Sequence, residues 1–151
     1  MSKTPDSLTQ EHYRALGYHV IKVEQWGLHP SPHRVDFLGI YDYLVFNDAG
    51  EMIAVQTTTK HNANARRKKM LSDKSFEWWT QGGRRSILNG WECISKPRGI
   101  WKLHETELTL EDWKTFQTEK KAKEDVLDTN SALYKELFPN GHGTVVPTQT
   151  A

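Results

Sequence analysis

Two runs near the middle of the chain carry the clearest alternation of apolar and polar positions: Asp42-Tyr43-Leu44-Val45-Phe46 and Met52-Ile53-Ala54-Val55-Gln56-Thr57-Thr58. Aromatic and β-branched residues fill both, and Asp48-Ala49-Gly50 between them offers at Gly50 the positive φ that a three-residue hairpin loop requires. Upstream, Ser7 to Gly17 has helical composition, with Ser7 as N-cap, Gln10 at the capping-box spacing and Gly17 as the stop. Tyr18 to Trp26 alternates as a first strand, and Gly27 to His33, which contains Pro30 and Pro32, is a loop. Downstream, Asn62 to Leu71 predicts a helix capped by Asn62. Ser75 to Thr80 predicts a short amphipathic helix ended by Gly82-Gly83. Arg85 to Ile94 reads as one strand, or as two broken at Gly90, and Gly99 to His104 as the edge strand of a final hairpin.

That order predicts an α/β domain over residues 1–108. A helical extension follows over 109–138, started by Thr109 with Glu111 and Asp112 in its first turn, where the helix dipole favours acids. Its Leu127, Leu133, Tyr134, Leu137 and Phe138 form an apolar cluster that docks on the core or on a second subunit, the route to a homodimer. Residues 139–151 contain no core-forming run and read as a flexible tail.

The hairpin has a chemical consequence. If Asn47 pairs with Glu51, counting back sets Asp42 opposite Gln56, and Thr58 shares the face of Gln56 because side chains alternate. A carboxylate, an amide and a hydroxyl then converge at the open end of a buried hairpin. The plainer reading of Asp42 is a strand-end turn residue. Asp36 is the second nearby carboxylate, either a ligand or a group that holds its loop by local hydrogen bonds.

This arrangement resembles the core of the PD-(D/E)xK nuclease superfamily, in which an Asp begins one strand of a hairpin and Glu-x-Lys sits on its partner. Asp42 matches the Asp, while Gln56 stands where the Glu is expected and Thr58 where the Lys is expected. The chain looks closest to small phage-encoded, Holliday-junction-resolvase-like members with a Gln-x-Thr variant, over roughly residues 8 to 104. The resemblance implies a restriction-endonuclease-like central mixed sheet flanked by helices. It implies metal-dependent hydrolysis of DNA, with Mg²⁺ or Mn²⁺ held by Asp42, Gln56, Asp36 and Glu11, the last at the position of a metal-site Glu on the first helix. It gives catalytic roles to Asp42, Gln56, Thr58 and Glu11. Hard cations of this kind take oxygen ligands, polarise a phosphoryl oxygen and activate a bound water. Gln is a weaker ligand than Glu, and Thr carries no charge to stabilise a transition state. Two outcomes therefore stand side by side: a structure-selective nuclease of recombination, replication or repair, and a nuclease fold that only binds DNA or a protein target.

Charge sharpens the picture. Lys60 to Lys102 holds eleven Lys or Arg against three Asp or Glu, while Glu105 to Asp128 holds eight acids against four lysines, so the net charge of +1 hides strong segregation. Lys60, Arg66, Arg67, Lys68, Lys69, Arg84 and Arg85 are the candidate contacts to a duplex or branched DNA backbone; the bland reading is a solvated helix face. Arg66, one helical turn beyond Asn62, is the candidate stand-in for the missing Lys. None of the seven histidines is spaced as a ligand pair on a helix face, and His29 and His33 flank prolines in a loop. Trp78-Trp79 could stack on bases or face the core; Trp91, Trp101 and Trp113 read as packing residues. One cysteine, Cys93, excludes an internal disulfide and a cysteine-based zinc cluster. No stretch is long and apolar enough for a membrane span, and the N-terminus lacks a signal-peptide pattern, so the expectation is a cytoplasmic protein with no membrane partner.

Overall fold

The structure is a computed structural model that describes residues 2–23, 25–26 and 34–139. Its elements run α1 (Pro5–Ala15), β1 (His19–Lys22), β2 (Gln25–Trp26), β3 (Arg34–Val35), β4 (Tyr43–Phe46), β5 (Met52–Thr59), α2 (Lys60–Ser72), α3 (Lys74–Gln81), β6 (Arg85–Ser95), β7 (Ile100–Leu108) and α4 (Leu110–Leu137). A five-stranded mixed sheet has the order β1-β4-β5-β6-β7, antiparallel throughout except for the β5–β6 pair; β2 and β3 form a separate two-stranded ribbon. The parallel pair requires a crossover connection, which α2 and α3 supply. The chain divides into two units, Met1–Phe116 and Gln117–Ala151.

Local chemistry moves several boundaries from their expected places. The first helix starts earlier, at Pro5, because Thr4 is the cap: its side chain accepts from the Ser7 amide while the Ser7 hydroxyl accepts from the Thr4 amide. Proline at the first helical position suits this start, since its missing N–H has no partner there anyway. Ser7 is thus the third helical residue rather than the N-cap. α2 also starts early, at Lys60, and Thr59 caps it without a side-chain bond. The predicted first strand is two short ones. Gly90 does not break β6, which is continuous over eleven residues. The predicted loop over Gly27–His33 and the predicted tail beyond residue 139 lie outside the described residues.

The sheet buries both faces, and the period-two pattern sorts side chains between them. Ile53 and Val55 join Tyr13, Tyr43, Val45 and Ile87 on the α1 side. Ala54 and Leu88 join Tyr41, Met70, Leu71, Phe76 and Trp79 on the α2–α3 side. Trp113 and Phe116, in the first turns of α4, pack against this second cluster. Gly90 is where α2 comes closest: a Cβ there would stand 3.3 Å from both the Ala63 Cβ and the Lys60 Cα. In the second unit Val126, Leu127, Leu133, Tyr134, Leu137 and Phe138 are exposed. Among the described residues no helix is long and apolar enough to cross a membrane.

Candidate functional site

The hairpin has the register counted from its loop. Asn47 donates to the Glu51 carbonyl at 3.1 Å, and Phe46 pairs with Met52 and Tyr43 with Val55, where the paired register ends; Asp42, one residue further out, donates its N–H to the Val55 carbonyl at 3.0 Å and meets Gln56 through its side chain. Gln56 sits opposite Leu88 of β6 and Thr58 opposite Gly90, which sets both on the α2 side of the sheet. Asp42 and Gln56 touch: the amide Nε2 donates to Asp42 Oδ2 at 2.7 Å and to the Thr57 carbonyl at 3.1 Å. The same carboxylate oxygen accepts the Thr57 amide at 2.9 Å. Gln56 is buried at 3 % exposure while Asp42 is half-buried at the pocket wall, so the amide side of this charge-assisted pair is withdrawn from water.

A pocket of about 520 Å³ opens here, lined by Thr4, Asp6, Lys22, Asp36, Asp42, Gln56, Thr57 and Arg66 among others. Asp36 arrives through a tight turn. Phe37 and Tyr41 bridge each other with reciprocal backbone bonds of 2.9 and 3.0 Å, and Leu38 and Gly39 between them have φ of +54 and +74. Closing that turn leaves Asp36 and Asp42 as the flanking pair. The non-glycine positive φ at Leu38 is the strained element that brings two carboxylates to one place. Arg66 enters from α2, about two turns in from its start.

Two members of the predicted set stand elsewhere. Glu11 is exposed on α1 and bonded to Lys3 at 2.7 Å, away from the pocket. The acid that α1 does contribute is Asp6. Five residues separate the two, about 140° around a helix, so one face cannot present both. Asp6 is tied down by the Tyr43 hydroxyl, by Lys22 at 3.2 Å and by Gln10 at 3.5 Å. Burial, followed by the bond to Asp6, pushes the Tyr43 phenol up from its ordinary value. Thr58 is half-buried against α2 and does not line the pocket. Its neighbour Thr57, on the opposite face, does, with Oγ1 bonded to Thr9 Oγ1 at 2.7 Å. Asp6, Lys22 and Thr57 carried no distinguishing sequence signal: an acid in a helix's first turn is ordinary, and Thr57 joins only because Asp42 captures its backbone N–H.

The basic residues separate into two groups. Among the described residues Arg66, Arg67, Lys68 and Lys69 have no acidic partner. Lys60 is bound to Glu92 at 3.0 Å, and that ammonium, followed by His104, holds the Glu92 carboxyl below its usual range. Arg84 lies over the Trp79 ring at 5.1 Å and donates to the Trp78 and Trp79 carbonyls, closing the end of α3. Arg85 is held by Glu51 and Glu107, whose carboxyls it lowers. It opens β6 opposite Ile53, three residues below the level of Gln56, roughly 10 Å away along the strand.

The donor set does not fit a divalent cation as the side chains stand. Asp42 Oδ2, the oxygen that faces Gln56, already accepts two N–H groups. A metal between these residues would have to displace the amide nitrogen and turn the amide oxygen inward. Among the described residues no three His, Cys, Asp or Glu side chains converge as a ligand group. The amide nitrogen, with its own partial positive charge, is shared between the Asp42 carboxylate and the Thr57 carbonyl.

No protein-family model matches this chain, and no curated protein and no solved structure matches it.

Proposed function

We propose that this chain is a nuclease-like protein of the PD-(D/E)xK type that acts on DNA, with the phosphodiester backbone running past the Asp42–Gln56 pocket and along α2. The observation that carries the reading is the juxtaposition, at one end of a hairpin, of the Asp42–Gln56 pair with Arg66, on a helix whose Arg66 to Lys69 cations have no acidic partner among the described residues. The reading is also supported by the order of elements, helix, antiparallel strands β1, β4 and β5, crossover helices α2 and α3, then parallel β6. Unpaired cations on an exposed helix release counterions when they meet phosphates, which favours binding without sequence readout.

Binding is the part of the activity that the geometry supports best, because the Gln56 amide satisfies Asp42 without a metal. Hydrolysis with Mg²⁺ or Mn²⁺ is the second reading. Its ligands would come from Asp6, Asp36 and Asp42, which line one pocket without converging as a ligand group as the side chains stand. The test is titration of duplex and branched DNA at several salt concentrations, with either metal and with chelator, beside Asp42→Ala and a Lys68→Ala/Lys69→Ala double variant. Expected is binding that weakens steeply with salt, its log–log slope reduced by about 1.8 in the double variant. Absence of binding at low salt overturns the reading. Metal-dependent cleavage lost in Asp42→Ala establishes the hydrolytic form.

A further inference from the structure

The far end of the β6–β7 hairpin carries chemistry that the Asp42 pocket does not use. Lys96, Pro97, Arg98 and Gly99 form its exposed turn, with Gly99 at φ +62. Just inside it Trp101 of β7 faces Cys93 of β6. Trp101 reads from sequence as a packing residue, yet it is only half-buried and separates two cavities. One, of about 800 Å³, is shared with Lys3, Lys96 and Arg98. The other, of about 480 Å³, is shared with Lys60, His61 and Trp91.

The partners of the neighbouring tryptophans make the contrast. Trp79 donates to the Arg85 carbonyl and packs edge-on against Phe37; Trp91 donates to Thr9 Oγ1 at 2.8 Å. Among the described residues the Trp101 indole has neither a hydrogen bond nor a ring or cation partner. Lys96 and Arg98, which line the larger cavity with it, likewise lack acidic partners among the described residues. A large indole held by a strand, bordering a cavity with the unpaired Lys96 and Arg98, offers a π-surface and phosphate contacts together. That pairing suits an unpaired nucleotide, whose base presents a free face; a base inside a duplex keeps its faces stacked.

Position adds a second argument. β6 runs parallel to β5 and extends past its end, so Trp101 lies beyond the same end of the sheet that bears Asp42. Three strand spacings and five residues of rise separate the two, about 20 Å along the sheet, with Trp101 on the α1 face and Asp42 on the α2 face, so a strand joining them rounds the end of the sheet. A strand of roughly six nucleotides at helical rise covers that distance.

We propose that Trp101, with Lys96 and Arg98, is a stacking site for an unpaired base of single-stranded DNA adjoining the duplex or branch bound at the Asp42 pocket. The inference rests on the DNA reading above and extends it to a substrate class, DNA with a single-stranded tail or flap.

The experiment compares a blunt duplex with the same duplex bearing a short single-stranded tail. Wild-type protein is expected to bind the tailed form about tenfold more tightly. Trp101→Ala abolishes that preference and leaves blunt-duplex affinity unchanged; Trp101→Phe, which keeps a π-face, retains most of it. Cys93, the single cysteine and exposed beside Trp101, gives a readout that needs no variant. Tailed DNA is expected to slow its reaction with a thiol reagent several-fold, and blunt duplex to leave it unchanged. Equal affinity for the two DNAs, a preference that survives Trp101→Ala, or Cys93 equally reactive with both overturns the stacking site while duplex binding stands. No binding of either DNA at low salt overturns the DNA reading and this inference with it.

Discussion

Gln56→Glu sets a second carboxylate beside Asp42, and its consequences follow from the contacts of one buried amide. The change removes two donors: the bond to Asp42 Oδ2 at 2.7 Å and the bond to the Thr57 carbonyl at 3.1 Å. A hydrogen bond to a charged group contributes about 1.5–3 kcal/mol and a neutral one about 0.5–1.5 kcal/mol. Two carboxylates at that separation repel by roughly 6 kcal/mol at an effective dielectric constant near 20. The penalty is capped, because the introduced carboxyl can instead stay protonated. Holding a carboxyl of ordinary value about 4.3 neutral at pH 7 costs about 3.7 kcal/mol, and its hydroxyl can then donate to Asp42. The net expectation is a loss of about 2–4 kcal/mol at neutral pH in chelator, measured by urea denaturation. The new carboxyl has a folded value raised above its unfolded one, so its contribution is fullest below the unfolded value and is lost as pH rises through the folded one. The deficit therefore shrinks on acidification. Millimolar Mg²⁺ is expected to restore stability selectively in the variant, since a cation bound only by the folded state stabilises it by mass action, and to leave the wild type unchanged. A variant as stable as the wild type in chelator at neutral pH would refute the reasoning. Stabilisation of the wild type by Mg²⁺ would refute it equally, and would move the balance towards hydrolysis.

Gly90→Ala is expected to cost about 1–3 kcal/mol in the same assay, because the added Cβ would meet Ala63 and the Lys60 backbone at 3.3 Å; unchanged stability would mean that α2 yields freely. Acid stability is the third expectation. Glu51 and Glu107 are held low by Arg85 and Glu92 by Lys60, so their contribution is full above the ordinary carboxyl value of 4.5 and is lost as pH falls through the lower folded values. The urea midpoint is expected to be flat near neutrality and to fall below that value. Arg85→Met is expected to flatten part of the fall; an unchanged acid limb would show that these pairs do not govern it.

Which residues were legible in the sequence follows from how local their determinants are. The hairpin register was readable because Gly50 and the alternation on either side are contiguous in the chain, and once the loop pairs Asn47 with Glu51 the Asp42–Gln56 juxtaposition is arithmetic. The basic run on α2 and the α/β order were readable for the same reason. Sequence also placed Glu11 in the site and left out Asp6, because the start of α1 depends on a Thr4–Ser7 exchange of bonds and a proline, and a shift there rotates a different residue towards the sheet. Likewise Thr58 has the right parity, but the pocket opens across the sheet's end, where Asp42 captures the Thr57 N–H.

Charge shows the same division. Lys60, Arg84 and Arg85 belong to the basic block as text, but Glu92, the end of α3, and Glu51 with Glu107 engage them, and those partners come from strands and turns far away in the chain. Trp101 is the converse case: an aromatic in a strand reads as core, but at the edge strand β7 it is only half-buried and its indole has no polar or ring partner among the described residues. What the sequence determined by itself was period, turn chemistry and the order of elements, since these depend on residues within a few positions of one another. What the tertiary structure decided was which carboxylate faces the pocket, which cations stay unpaired and which tryptophan stays open, because each depends on a partner supplied by another strand or helix.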